Sequence, residues 1–225
     1  MNLDSINFVS NDRLRSVMER TSATPRQVEE AVRVNTEARL RALRIGMLAV
    51  LNYHIHAARF LRKSHTALPS AFASPLVGPV GAVIKGRPRL HARVPRQPCR
   101  PVADGPPPPA ALIRWAMGDD GRLLGALPGL GYAGAVIEGM GAGHVPADAA
   151  PLVGDLARRM PVVLASRCMT GPVFTATYGQ PGGEIDLVRR GAIPGGFLSG
   201  LKARLLLGLA LRAGADPHAA FAPCQ

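Results

Sequence analysis

The sequence predicts an α/β fold that ends in a small domain built on a parallel sheet. Three observations carry this reading. Ala133 to Ile137 and Val162 to Ala165 are short, almost wholly apolar runs, the pattern of parallel strands covered on both faces. Between them Ala149, Leu152, Val153, Leu156, Ala157 and Met160 recur at steps of three and four residues, which is one face of an α-helix. Further on, Leu201, Leu205, Leu206, Leu209 and Ala210 repeat that spacing behind a capping Ser199, and Gly214 ends the pattern. Gly131 to Arg167 is therefore one βαβ unit, with a right-handed crossover expected.

Composition sets the outer limits. The chain has 225 residues and a formal charge of +12, enough length for one domain or a small pair. The charge is uneven, because no acid occurs between Glu37 and Asp104. Nucleic acid could use such a segment, but no aromatic interleaving or reader motif accompanies it, so no nucleic-acid partner is expected. Cys99, Cys168 and Cys224 are odd in number and unevenly spaced, which implies reduced thiols rather than a disulfide framework. The longest apolar run before the central unit, Ile45 to Leu51, falls far short of a membrane span. With no secretory pattern at the N-terminus, a cytoplasmic protein without a membrane partner is expected.

Taken in order, residues 1–48 form a charged helical segment. Thr24-Pro25-Arg26-Gln27 reads as a helix start, with Thr24 as cap and Gln27 at the capping-box position. Glu29 with Arg33, and Glu37 with Arg41, are oriented as favourable i,i+4 pairs on a helix running to the mid-forties. Residues 49–95 read as a strand at Val50-Leu51-Asn52, a basic turn or short helix, and an extended stretch punctuated by Pro and Gly. Residues 96–110, with Pro106 to Pro109, form a linker. Residues 111–225 are the C-terminal α/β domain.

Within that last domain, Ala111 to Ala116 is a strand candidate, and Gly118-Asp119-Asp120-Gly121 is a turn in preference to an acid/base dyad. Arg122 to Leu130 packs back toward the sheet. Pro146 and Asp148 mark the start of the central helix, and Arg158 and Arg159 suit its negative end. Ile185 to Val188 begins a short helix or turn that Ala192-Ile193-Pro194 stops, and Asp216-Pro217 opens a final short turn.

Chemistry in a parallel layer belongs at the carboxyl ends of the strands, so Glu138 to His144 and Ser166 to Thr170 are the segments of interest. Gly139, Gly141 and Gly143 do not make a dinucleotide fingerprint, since His144 stands where a third glycine is needed, and no phosphate loop occurs. A packing turn is expected there. Cys168, Thr170, Thr175, Thr177 and Tyr178 offer a thiol and hydroxyls, but spacing supplies no His or Lys to activate them. His54, His56 and His65 have no carboxylate or thiolate at ligand spacing, so no metal is assigned, and no cofactor is expected.

Two resemblances add to this reading. VSNDRLRSVMERTSATPRQVEEAVRVNTEARLRALRIGMLAV is similar to a loop of major facilitator superfamily transporters, but the membrane helix that follows there is absent. From about Val50 to Phe221 the chain resembles bacterial L-asparaginases. The matching text is VLN-x-x-IHAARFLRKSHT, AFASPLVGPVG, GAVIEGMGAGHVP, PVVLASRC and GAIPGGFLSGLKARLLLGLAL. The resemblance implies the tail of the family's larger N-terminal domain, the linker and the whole smaller C-terminal domain.

It also implies hydrolysis of the side-chain amide of L-asparagine to aspartate and ammonia. Family members use a threonine nucleophile in an early glycine-rich loop, then a Thr-Asp motif with an activating lysine and aspartate. No such text occurs here, and the lysines are Lys63, Lys85 and Lys202 alone. A truncated chain with no catalytic residue of its own, inactive alone, is therefore expected. In the family's tetramer the smaller domain reaches the neighbouring subunit's site. There the family's loop asparagine corresponds to His144, and the acid near the substrate's amino group corresponds to Glu184. The implied role is accessory substrate binding, within a homo-oligomer or beside a complementing asparaginase chain. A non-catalytic interaction module or a gene-rearrangement relic is the alternative.

Overall fold

The structure, a computed structural model, describes residues 11–21, 23–33, 48–68, 70–95 and 104–225. The chain divides into two compact units, Met1–Cys99 and Arg100–Gln225.

In the first unit, helix α1 spans Asn11–Met18 and residues 25–33 are helical (α2). Thr24 Oγ1 accepts from the Gln27 N–H while Gln27 Oε1 accepts from the Thr24 N–H, the reciprocal box that the sequence predicts. The expected Glu29 to Arg33 pair does not form. Arg33 instead binds Glu30, one turn back at three residues, where the fork reaches both carboxylate oxygens. The continuation toward residue 45 and the Glu37 to Arg41 pair lie outside the described residues.

Strands β1 (Leu48–Leu51), β2 (His54–Ala57), β5 (Gly81–Ile84) and β6 (Arg87–Leu90) form an antiparallel sheet in the order β1-β2-β5-β6. Short β3 (Arg62–Lys63) and β4 (Phe72–Ala73) pair antiparallel as a separate two-stranded sheet. Ile55, Ala57 and Val80 bury together in a small core. The basic segment anticipated as a turn or short helix contains β3. The tight turn at Asn52-Tyr53, both at positive φ, closes the first hairpin.

The second unit is singly wound. Parallel strands β7 (Ala110–Arg114), β8 (Gly134–Gly139), β9 (Val162–Ser166) and β10 (Ile193–Ser199) lie in the order β10-β9-β8-β7. Every residue of β8 and β9 is buried, which is why both read as apolar runs up to the polar Glu138 and Ser166 near their carboxyl ends. Alternate side chains divide between two cores. Ala135, Ile137, Val162 and Leu164 face α3 (Arg122–Ala126), α4 (Ala150–Ala157) and α5 (Glu184–Arg189). Val136, Val163 and Ala165 face α6 (Gly200–Arg212) and α7 (Pro217–Phe221). Residues of the predicted linker next to β7 are tied to this unit: Pro109 C=O accepts from the Ala133 N–H, and Gly105 C=O from Arg212.

Two sequence expectations are corrected here. Ala192-Ile193-Pro194 does not stop the chain but enters β10, where Ile193 and Pro194 pair with Val163 and Leu164. Proline is tolerated because β10 is an edge strand, bonded only to β9. On α6 the buried residues are Gly200, Ala203, Leu207, Gly208 and Ala210, whereas Leu201 and Leu205 are 71% and 65% exposed. Small residues let the helix approach the sheet closely, so the bulkiest apolar side chains do not mark the buried face. Ser199 occupies the cap position of α6, but its side chain makes no cap hydrogen bond.

Candidate functional site

The carboxyl ends of β8, β9 and β10 carry the loops 140–146, 167–183 and the start of α6. Gly139, the last residue of β8, is packed so closely that a Cβ there would lie 2.6 Å from the backbone of both Gly143 and His144. The chain therefore doubles back at once. Met140 and His144 exchange both backbone hydrogen bonds, each 2.8 Å, and the imidazole of His144 projects from this tight loop. Gly139 and Gly143 thus serve packing, as the sequence suggests, whereas a Cβ on Gly141, at φ +50°, would meet nothing.

Glu184 opens α5 on the opposite side of the site. The residues before it also need close approach: a Cβ on Gly182, at φ +80°, would sit 2.2 Å from the Val145 carbonyl oxygen. The Val145 N–H donates to Gly182 C=O at 3.0 Å and seals the two loops together. As a result, residues forty apart in sequence meet, with His144 Nε2 2.9 Å from Glu184 Oε2. The other oxygen, Oε1, accepts from the N–H groups of Thr177 at 2.8 Å and Tyr178 at 2.7 Å.

Glu184 is fully buried, while the side chain of His144 is 23% exposed. Burial pushes the Glu184 carboxyl up, but the N–H groups of Tyr178, Thr177 and Glu184 itself, with His144, outweigh it and hold the group below its ordinary value. The carboxylate is therefore ionised at neutral pH and accepts only. Tyr178 meets the imidazole edge-on at 5.0 Å and stacks on Phe174 at 6.4 Å, so two part-exposed aromatic rings wall the site. Sequence reading missed this wall, because Phe174 and Tyr178 sit in an irregular loop with no periodicity to join them to His144.

The other anticipated groups do not converge. Cys168 is exposed, and its N–H donates to Ser166 Oγ. No hydrogen bond joins the side chains of Cys168, Thr170 or Thr175 to an imidazole or amine among the described residues. Glu138 is buried and binds Arg114 at 2.7 Å. Asp119 and Asp120 accept the N–H groups of Gly121 and Arg122, the turn geometry expected of them, and the Arg122 guanidinium holds Asp120 down at about 2. His56 pairs with Ser74, and His65 Nδ1 accepts from the Ala67 and Leu68 N–H groups. No group of three metal-ligating side chains occurs among the described residues, and no described helix is long and apolar enough to cross a membrane.

Residues 111–221 match the Glutaminase/Asparaginase C-terminal domain. Through its C-terminal half the chain belongs to the asparaginase family. Within the family it is 38% identical to a probable L-asparaginase of Deinococcus radiodurans, over 76% of this chain and 52% of that protein. An L-asparaginase of Bacillus licheniformis is 26% identical over 74% of the chain and 51% of its own length. A glutamyl-tRNA(Gln) amidotransferase subunit of Methanosarcina acetivorans is 30% identical over 63% of the chain and 34% of its length. The chain thus spans about half the length of the asparaginases it matches.

Proposed function

We propose that this chain is the accessory part of an asparaginase-type amidohydrolase, contributing His144 and Glu184 to a site whose nucleophile comes from another chain. The supporting observation is the contact of the part-exposed His144 with the buried Glu184 at the carboxyl ends of the parallel strands, in a domain of this family. Hydrolysing a side-chain amide requires an activated nucleophile and donors for the oxyanion. No activated hydroxyl or thiol accompanies the dyad among the described residues. A second copy of this chain would bring the same residues and no nucleophile, so the complete site forms with a complementing asparaginase chain, and L-asparagine is its substrate. Existence as a subunit has a parallel in the amidotransferase relatives, which are subunits by name. The test is ammonia release from L-asparagine by the purified chain. None is expected, and release that disappears in the Glu184→Gln variant would mean that the chain carries its own nucleophile, with Thr170, Thr175 and Cys168 the first to substitute.

A second reading is a non-catalytic interaction module. Leu201, Leu205, Leu123 and Leu130 are all more than half exposed. Leu201, Leu123 and Leu130 line a groove along β7 together with Leu112, Ile113 and Leu127. An exposed apolar surface of this kind suits a protein partner. Retention of a full-length asparaginase without any gain in hydrolysis would favour it.

A further inference from the structure

We infer that the ligand-facing group of this half-site is Nδ1 of His144, and that Glu184 is a positioning residue which does not itself touch the ligand. The inference rests on the accessory role proposed above for its meaning, but not for its test. The resemblance assigns the acid to the ligand's amino group, and the geometry points elsewhere. Glu184 is fully buried, with Oε1 taken by two backbone N–H groups and Oε2 covered by the imidazole. A ligand could reach the carboxylate only by displacing His144.

The tautomer follows from the donor inventory. An ionised carboxylate has no proton to give, so Nε2 must carry the hydrogen that it shares with Oε2. In the neutral ring Nδ1 is then the acceptor. Nδ1 has no protein partner among the described residues, and it is not one of the buried atoms left unpaired, so solvent reaches it. Tyr178, edge-on to the ring, and the carboxylate fix the imidazole from two sides. What a neutral Nδ1 takes is a hydrogen-bond donor: an ammonium, an amide N–H or a hydroxyl of a small polar ligand. An Nδ1 acceptor therefore selects ligand groups that can donate.

The test is ring-nitrogen NMR on the full chain labelled with ¹⁵N-histidine, at alkaline pH. Its signals are identified by their loss in His144→Asn. We expect one species, protonated at Nε2 and bare at Nδ1. In Glu184→Gln the amide oxygen is held by the Thr177 and Tyr178 N–H groups, which turns its NH2 toward His144, so the proton should move to Nδ1, and Glu184→Asp should restore part of the Nε2 preference. A wild-type ring protonated at Nδ1 overturns the inference, as does an unchanged His144 signal in a folded Glu184→Gln. The wild-type measurement decides even if the variant fails to fold. Because no hydrolysis is read, failure of the accessory role and failure of this inference are separate results.

Discussion

The acceptor positions of Glu184 are shared by the N–H groups of Thr177 and Tyr178 and by His144. Removing the carboxylate strands two backbone donors and one imidazole in a buried place. Glu184→Ala should therefore cost about 2–4 kcal/mol, read by denaturant unfolding, since unsatisfied buried donors and lost bonds to a charged group each cost on that order. The pH dependence has a definite sign. The folded carboxyl lies below its ordinary value of 4.5, so its contribution is complete above that pH and is lost as pH falls through the lower folded value. His56 works in a higher window. Burial, with the nearby His54 charge, depresses it below 6.5, so the unfolded chain binds the proton more readily. The first unit should lose stability as pH drops below 6.5, and faster amide exchange at Ile55 and Val80 is the readout. Individual residues were only partly legible in the sequence. His144 and Glu184 were found by resemblance, but their contact depends on two loops sealed by Val145 and Gly182, and local spacing carries no trace of that.

At the scale of elements, α6 separates two kinds of leucine. Leu207 is fully buried against the sheet, so Leu207→Ala should cost about 2–4 kcal/mol. Leu205 is exposed, and Leu205→Gln should change stability by less than about 0.5 kcal/mol. Thermal melts of the pair would reverse that order if the helix packed through the face that its largest residues suggest. Gly139 tests the other end of the sheet. A Cβ there would meet the backbone of Gly143 and His144, and Gly139→Ala should both destabilise the unit and uncouple His144 from Glu184, visible in the ring-nitrogen signals. Strands β8 and β9 were legible because burial on both faces leaves an apolar text up to Glu138 and Ser166. β10 was not, because Pro194, Gly195 and Gly196 read as breakers, while an edge strand against β9 accepts them. On α6 the period was visible but not the phase, since the buried side includes the small residues Gly200, Ala203 and Gly208, and a Cβ on Gly200 would collide with the Glu138 side chain.

Over the whole molecule, the boundary between the two units falls at Cys99 and Arg100, inside the proline- and arginine-rich stretch 96–110. Limited proteolysis should cut first between about Arg93 and Pro109, and mass spectrometry of the early fragments checks this. A first cut inside the parallel sheet would contradict the boundary. The α/β class and the family could be read from the sequence, because strand-end loops and the last helix carry most of the matching text. The antiparallel arrangement of residues 48–95 could not, since its pairing joins segments as distant as His54 and Ala82. The most direct measurement of the proposed role is ammonia release from L-asparagine when the full chain is mixed with the part of the Deinococcus radiodurans protein that it does not match. We expect neither alone to release ammonia, the mixture to do so, and His144→Ala to abolish the gain. A mixture that forms a stable complex yet stays silent, or a chain that hydrolyses asparagine unaided, would contradict it.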